Sequence, residues 1–340
     1  MRYIFELNHP KHYYQFKQVM HKLQSHGHEV KVLARDKDVL VDVLREEGVS
    51  YTIFGKHSKD MSAKIFGTFS IIWNYLAIVR QYKPDVIVSK ASWYGTFTAW
   101  ITHRKSVIFP DSEVVKVTNR YVVPLCTQVI TPQSFQIDYG KKHLRVPGIF
   151  EDCYLSPQVF TADPSVVSQY GLRRPYAVLR FVGWFANHDV GNSGFTDEQK
   201  LALVETLAKN MTVYISSEKE LPDVLASHRL PTPSSQIHHV LAYADLYIGD
   251  SQTMAAEAAL LGTPAIRSNS FVGPNDMSNF VMLQEKYGLL HNIASPNEAT
   301  RLADEMSQKS LKQQWLQKRE QYYSHTGDIN AQIVEILEKV

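Results

Sequence analysis

The chain has 340 residues, 44% hydrophobic and 21% charged, and a formal net charge of +2. That length points to two domains of ~150 to 170 residues with an ordinary soluble composition. The near-neutral charge gives no reason to expect a nucleic-acid partner, and the most apolar stretch, Ile65 to Val79, is interrupted by Gly67, Thr68, Ser70 and Asn74 and falls short of the ~20 residues of a membrane span.

The chain enters a strand-like run at Arg2 to Leu7 with no basic segment leading into an apolar one, so no signal peptide is expected. Tyr3 to Leu7 reads as the first strand, Tyr14 to Ser25 as a helix stopped at Gly27, Glu29 to Ala34 as a strand, and Val39 to Glu47 as a helix stopped at Gly48. Alternation continues through strand Tyr51 to Phe54, helix Lys64 to Tyr82, strand Val86 to Ser89, a helix around Gly95 to Thr102, strand Ser106 to Phe109, helix Val115 to Leu125 and strand Gln128 to Thr131. From Tyr139 to Asp163 the periodicity fades and prolines accumulate, which predicts the inter-domain connection. The pattern restarts with strand Tyr176 to Val182. A capping box, Thr196-Asp-Glu-Gln199, opens a helix to Lys209, and strand Thr212 to Ser217 follows. A strand at Leu246 to Ile248 leads to a helix from Thr253 to Leu261. Strand Ala265 to Arg267 is followed by helices near Ser278 to Tyr287, Pro296 to Gln308, Leu311 to Tyr323 and Asp328 to Lys339.

Strands alternating with helices build parallel sheets covered on both faces. The expected fold class is therefore α/β, with two facing doubly wound, Rossmann-like domains at 1–150 and 151–326, and a C-terminal helix, 327–340, packing back on the first. Ligands of such sheets bind at the carboxyl ends of the strands, which makes the loops after strands the places to search. The two cysteines, Cys126 and Cys153, have no CxxC spacing, and fit a reducing cytoplasm.

After the first strand come Asn8, His9, Pro10, Lys11 and His12; a histidine there is suited to a general base near neutral pH, while capping of the helix is the plainer role. His9 and His12 are three apart with no third ligand in sight, so no metal is expected. Ser89, Lys90, Ala91 and Ser92 follow the fourth strand, and Lys90 and Ser92, with Asn8, suit a sugar or an acceptor. Asp111 and Glu113 follow the fifth, and either carboxylate suits a base toward a hydroxyl or a sugar C–H. In the second half Arg180 ends a strand, placed to neutralise a departing diphosphate, and His188 lies in the loop beyond it. Ser217 ends the next strand, and His238 and His239 read as capping or surface residues.

Gly249 and Asp250 then turn the chain into a helix N-terminus where Ser251, Gln252 and Thr253 offer free N–H groups to a phosphate. Glu257 is one turn beyond Thr253 on the same face, where a carboxylate can accept from both hydroxyls of a ribose. Neither GxGxxG nor GxxxxGK[ST] is present, which removes the main support for nicotinamide-cofactor and NTPase readings. Along Lys64 to Tyr82, Ile65, Phe66, Phe69, Ile72, Trp73, Leu76 and Val79 fall at helical spacing and are expected in the core, with Phe69, Trp73 and Leu76 as a broad stripe; the second reading is a face touching membrane lipid or a lipid-linked acceptor.

Several motifs in register, among them NHPKHYYQFKQVM, KPDVIV, IFPDSE, QVITPQSF and IGDSQTMAAEAALLGTPAI, resemble the glycosyltransferase-B-like (GT-B) group known as domain-of-unknown-function family 354. That group is similar, at a distance, to nucleotide-sugar glycosyltransferases and to non-hydrolysing UDP-N-acetylglucosamine 2-epimerases. The resemblance implies that Ser251 and Glu257 hold the UDP moiety, that Asp111 and Glu113 occupy the region of the catalytic acids, and that Arg180 or His188 lies near the diphosphate. Asn8-His9-Pro10 stands where the epimerases carry an arginine and a glutamate, and Ser89-Lys90-Ala91-Ser92 where they carry Gly-Asp. Both departures weigh against epimerisation more than against transfer.

The expected activity is thus a metal-independent glycosyltransferase with a nucleotide-sugar donor, UDP-linked, no resident cofactor, and a glycan or lipid-linked acceptor. It would serve cell-surface polysaccharide synthesis in the cytoplasm or at the inner face of the membrane. A 2-epimerase and a non-catalytic nucleotide-sugar-binding protein are the alternatives.

Overall fold

A computed structural model describes residues 1–36, 40–56, 61–113, 118–182, 194–217 and 220–340, without the side chains of 56, 61–68, 118 and 119. The chain forms two compact units, Met1–Tyr154 with Thr326–Val340, and Leu155–His325.

The first unit is built on seven parallel strands: β1 (Arg2–Leu7), β2 (Glu29–Asp36), β3 (Tyr51–Lys56), β4 (Val86–Ser89), β5 (Lys105–Ile108), β6 (Gln128–Pro132) and β7 (His143–Val146), in the order β3-β2-β1-β4-β5-β6-β7. The period of two in β1 decides what packs where. Tyr3, Phe5 and Leu7 face the helices Pro10–Ser25, Leu40–Glu46 and Ile329–Lys339, which bury Phe16, Leu23, Leu44, Ile333 and Leu337 against them. Ile4, with Leu33 and Ile87, faces Met61–Tyr82 and Trp93–Ile101, which bury Ile71, Tyr75, Val79 and Ala99. The last helix is capped by Asp328, whose carboxylate accepts from Ala331 N–H at 2.9 Å and pairs with Lys22 at 3.0 Å. Asn330 donates to the Cys153 carbonyl, which ties that helix to the end of the first segment of this unit.

Three expectations need correction here. Phe69 and Trp73 are 63% and 64% exposed, while Leu76 and Val79 of the expected core residues are buried. The helix is apolar nearly all round, so its spacing does not choose a face; the strand residues it meets choose Ile71, Tyr75 and Val79. The stretch from Tyr139 holds β7, an edge strand whose sequence, His143-Leu-Arg-Val146, carries no apolar run to mark it. The expected helix Val115 to Leu125 is, in its described part, a π turn Thr118–Val122 and a 3₁₀ turn Val123–Leu125; Pro124 has no N–H with which to continue a ladder.

In the second unit β8 (Tyr176–Phe181), β9 (Thr212–Ser217), β10 (Leu246–Gly249), β11 (Ala265–Arg267) and β12 (Leu290–Asn292) are all parallel, in the order β12-β11-β10-β8-β9. β12, only three residues long, is missed by pattern. The capping box forms as expected, with Thr196 accepting from Gln199 N–H and Gln199 accepting from Thr196 N–H.

Candidate functional site

Each sheet reverses its winding once, and the loops at that reversal are where α/β sheets bind ligands. In the first unit the chain goes from β1 out to β2 and β3, then returns to β4 on the other side of β1. The reversal therefore lies between the ends of β1 and β4, where Asn8, His9, Lys90 and Ser92 sit. The helix expected from Tyr14 begins at Pro10, since proline suits the first helical position, and His9 is its cap. His9 Nδ1 accepts from Lys11 N–H at 3.1 Å, and His12 Nδ1 accepts from Asn8 N–H at 3.2 Å. A neutral ring that accepts through Nδ1 carries its proton on Nε2, so both imidazoles present a donor. Burial, with Lys90 adding to it, holds His12 well below its ordinary pKa.

Beneath them lies Glu6, fully buried on β1 and passed over in the sequence although it is a lone acid in an apolar strand. Asn8 Nδ2 donates to its Oε1 at 2.9 Å, and Ser92, Tyr75 and the N–H of Gly95 lie close enough to favour its charged form. A Cβ on Gly95 would lie 2.4 Å from Glu6 Oε2, so only glycine lets the carboxyl reach the start of the helix Trp93–Ile101. Burial raises the Glu6 pKa in spite of these polar neighbours. Of the residues expected on the acceptor side, Asn8 is thus held by Glu6, while Ser92 N–H donates to Ser89 Oγ at 3.2 Å.

A charged cluster surrounds Lys90, whose side chain is buried and whose Nζ lies 3.0 Å from Asp111 Oδ2 and 4.3 Å from the centroid of the Phe150 ring. Lys11 Nζ is 3.7 Å from the same Asp111 oxygen and 2.8 Å from Glu151 Oε1. Burial alone would raise the Asp111 carboxyl, but the Lys90 and Lys11 ammoniums outweigh it and hold the group far below the usual carboxylate range. Burial lowers Lys90 against the pull of Asp111. Glu113 is directed elsewhere: its Oε1 accepts from Gln136 N–H, after β6, at 3.3 Å. Asp111 and Glu113 therefore keep different company. Lys11 and Glu151 join the site from positions where no local pattern marks them.

The second unit reverses between β8 and β10. Gly249 is register partner to Arg180, and a Cβ there would lie 2.3 Å from the Arg180 carbonyl oxygen, so the close approach of the strand ends requires glycine. Asp250 is buried. Its N–H donates to Arg180 O at 3.1 Å and its Oδ1 accepts from Val182 N–H at 2.9 Å, which pins the turn to the end of β8. Asn269 Nδ2 holds the Asp250 carbonyl. The helix Gln252–Leu260 follows, with Ser251 as its cap accepting from Met254 N–H at 3.3 Å, so Gln252 and Thr253 offer the first-turn N–H groups. Arg180 donates to Ser216 Oγ at 2.9 Å; Ser217 is the next residue at the end of β9.

Glu257 is 7% exposed, and its Oε1 lies 3.2 Å from His238 Nε2. His238, expected to be a surface or capping residue, is on the helix Ile237–Tyr243 and meets the Phe160 ring edge-on at 6.1 Å. Its partner is 19 residues away in sequence, too far for helical spacing to reveal. His188 lies outside the described residues. Among the described residues, no group of three His, Cys, Asp or Glu side chains could hold a metal ion, and no helix is long and apolar enough to cross a membrane.

This arrangement of two parallel sheets recurs in solved structures. MurG from Acinetobacter baumannii has a TM-score of 0.62 at 13% identity over all of both chains. The glycosyltransferase VinC, solved in complex with DTDP, has a TM-score of 0.66 at 12% identity over 99% of each. The UDP-GlcNAc 2-epimerase from Neisseria meningitidis bound to UDP-GlcNAc has a TM-score of 0.69 at 13% identity over all of both. The fold is thus that of GT-B glycosyltransferases and UDP-GlcNAc 2-epimerases. Within that class, residues 3–145 match the family described as "Protein of unknown function (DUF354)", in agreement with the motif resemblance. A search of curated proteins returns no match to the sequence.

Proposed function

We propose that the protein is a metal-independent glycosyltransferase that takes a UDP-linked sugar and transfers it to a glycan or lipid-linked acceptor in cell-surface polysaccharide synthesis, working on the cytoplasmic side. One observation carries the reading: the turn Gly249-Asp250-Ser251, pinned at the winding reversal of the second sheet, aims a helix N-terminus with free N–H groups, and a nearly buried carboxylate, Glu257, follows on the same helix. The N–H groups of Gln252 and Thr253 bind the diphosphate, with Arg180 completing its neutralisation, and Glu257 accepts from the ribose hydroxyls.

Transfer needs a base for the acceptor hydroxyl. Asp111 is a poor one, because two ammoniums stabilise its charge, and His9 presents Nε2–H. Glu113 suits the role: it takes the proton, the acceptor oxygen bonds to the anomeric carbon, and the bond from that carbon to the diphosphate breaks with its electron pair leaving on UDP. Lys90 and Lys11 hold Asp111 and Glu151 in a separate charged cluster. Acceptor-dependent release of UDP, reduced about 10² to 10⁴-fold by Glu113→Gln, is the expected result.

The likeness to the Neisseria epimerase supports a second reading, 2-epimerisation on the same donor site. Incubation with UDP-N-acetylglucosamine in heavy water and no acceptor separates the two. Deuterium at C2 belongs to the epimerase, and its absence together with acceptor-dependent UDP release to the transferase. Nucleotide affinity without turnover toward any donor and acceptor would leave only a binding protein.

A further inference from the structure

The two helices on one face of the first sheet turn large apolar side chains away from it. On Met61–Tyr82 the outward line is Phe69, Trp73, Ala77 and Arg80, all exposed and spaced by four, four and three. On Trp93–Ile101, Trp93 stacks on Phe97 with centroids 5.0 Å apart and Phe97 leans on Trp100 at 6.1 Å, with Trp100 54% exposed. The helices pack side by side, and the turn Thr118–Val122, packed on the second, adds exposed Tyr121. Three of the chain's five tryptophans lie here, whereas Trp315 is buried.

Charge follows the aromatics. Between 69 and 105, Lys90 apart, which is buried against Asp111, there are four lysines and arginines and a single acid, Asp85, whose carboxylate already accepts from Arg2 N–H at 2.7 Å. Both helices run from the carboxyl end of one strand back to the amino end of the next, so their C-termini lie at the same edge of the sheet. There Arg80, Lys83 and His103 are exposed, Lys105 is exposed with its Nζ donating to the Val340 oxygen, and Arg120 adds its guanidinium over the Tyr121 ring. A band of tryptophan and phenylalanine bordered on one side by cations is the composition of a surface that lies in a lipid interface, with rings at the acyl boundary and cations among phosphates. Exposed aromatic area on this scale is costly in water, and its basic border fits an anionic surface.

We propose that this face, formed by Phe69, Trp73, Trp93, Phe97, Trp100 and Tyr121 with the basic edge beside them, docks the protein onto a bilayer containing anionic lipid. The inference is independent of the donor site, since it concerns the first unit alone.

The test is co-sedimentation of the full chain with vesicles of phosphatidylcholine, alone or with about one-third phosphatidylglycerol, with tryptophan fluorescence read in parallel. Binding is expected to the anionic vesicles, with a blue shift, and to weaken as salt is raised. Phe69→Ser with Trp73→Ser, and separately Trp100→Ser, should each lower partitioning about tenfold. Arg80→Gln with Lys83→Gln should flatten the salt dependence. These side chains are exposed, and unchanged melting would show that the variants fold. No binding to anionic vesicles, or binding unchanged in all the variants, would overturn the proposal. So would self-association that Phe69→Ser with Trp73→Ser abolishes in a protein that ignores vesicles, which would make this face an interface between copies.

Discussion

Gly249→Ala adds one methyl group where the second sheet has no room for it. Gly249 does not need a left-handed backbone, so the effect is steric. The new Cβ would lie 2.3 Å from Arg180 O, 3.0 Å from Arg180 N and 2.9 Å from the Tyr247 hydroxyl. Two of those three atoms are backbone of the neighbouring strand, which cannot swing aside as a long side chain would. β8 and β10 must separate by about 1 Å at their carboxyl ends to reach ordinary van der Waals contact. Overpacking of this kind costs ~1 to 3 kcal/mol, and stretching the hydrogen bond from Asp250 N–H to Arg180 O adds ~1 kcal/mol. The expected loss is therefore ~2 to 4 kcal/mol out of the ~5 to 15 kcal/mol typical of a domain. Urea unfolding followed by the fluorescence of buried Trp315 should show a lower midpoint with an unchanged slope. Nucleotide binding should fall with it, because the same turn aims the helix N-terminus. Wild-type stability and wild-type affinity in Gly249→Ala would refute the close approach on which the site is built.

Three further outcomes follow from the same contacts. Lys90→Met removes the closest cation from Asp111 and should raise the Asp111 pKa, read by carboxyl NMR titration; an unmoved titration would show that the pair does not form in solution. Gly95→Ala should destabilise the first unit by displacing the Glu6 carboxyl from the start of the helix Trp93–Ile101, with a cost of ~1 to 3 kcal/mol by thermal or urea unfolding. Lys312, half-buried with its Nζ donating to Ala244 O and Thr263 Oγ1, has its pKa lowered by desolvation to about 7. The unfolded chain then holds more protons than the folded one between pH about 7 and about 10.4, so this group makes stability rise with pH across that window. Lys312→Met should remove that slope, and a slope unchanged by the substitution would assign it to other groups.

The sequence shows the alternation of strands and helices because each element carries its own period and its own stop. Gly27, Gly48, Gly262 and Gly327 all end helices in a left-handed conformation. The edge strands β7 and β12, His143-Leu-Arg-Val146 and Leu290-His-Asn292, escape detection because polar residues break their apolar run, whereas β4, as short as β7, is marked by Val86-Ile-Val88. Which face of Met61–Tyr82 is buried also escapes, since an apolar helix offers more than one stripe and tertiary contact selects between them. The candidate sites divide in the same manner. Ser251, Gln252, Thr253 and Glu257 are legible together because they follow one another on a single turn and helix. The lysines that hold Asp111, the Glu6 carboxyl beneath Asn8 and Ser92, and the His238 partner of Glu257 depend on strand order, which spacing along the chain does not encode.

The central claim, that the start of the helix Gln252–Leu260 is a nucleotide-diphosphate site, is tested most directly by calorimetric titration of UDP and UDP-sugars into the wild-type chain and Glu257→Ala. Binding by the wild type, weakened in Glu257→Ala by ~1.5 to 3 kcal/mol through loss of charge-assisted hydrogen bonds, is the predicted result. Affinity for UDP that is identical in the two proteins, or no affinity for any nucleotide in the wild type, would contradict it.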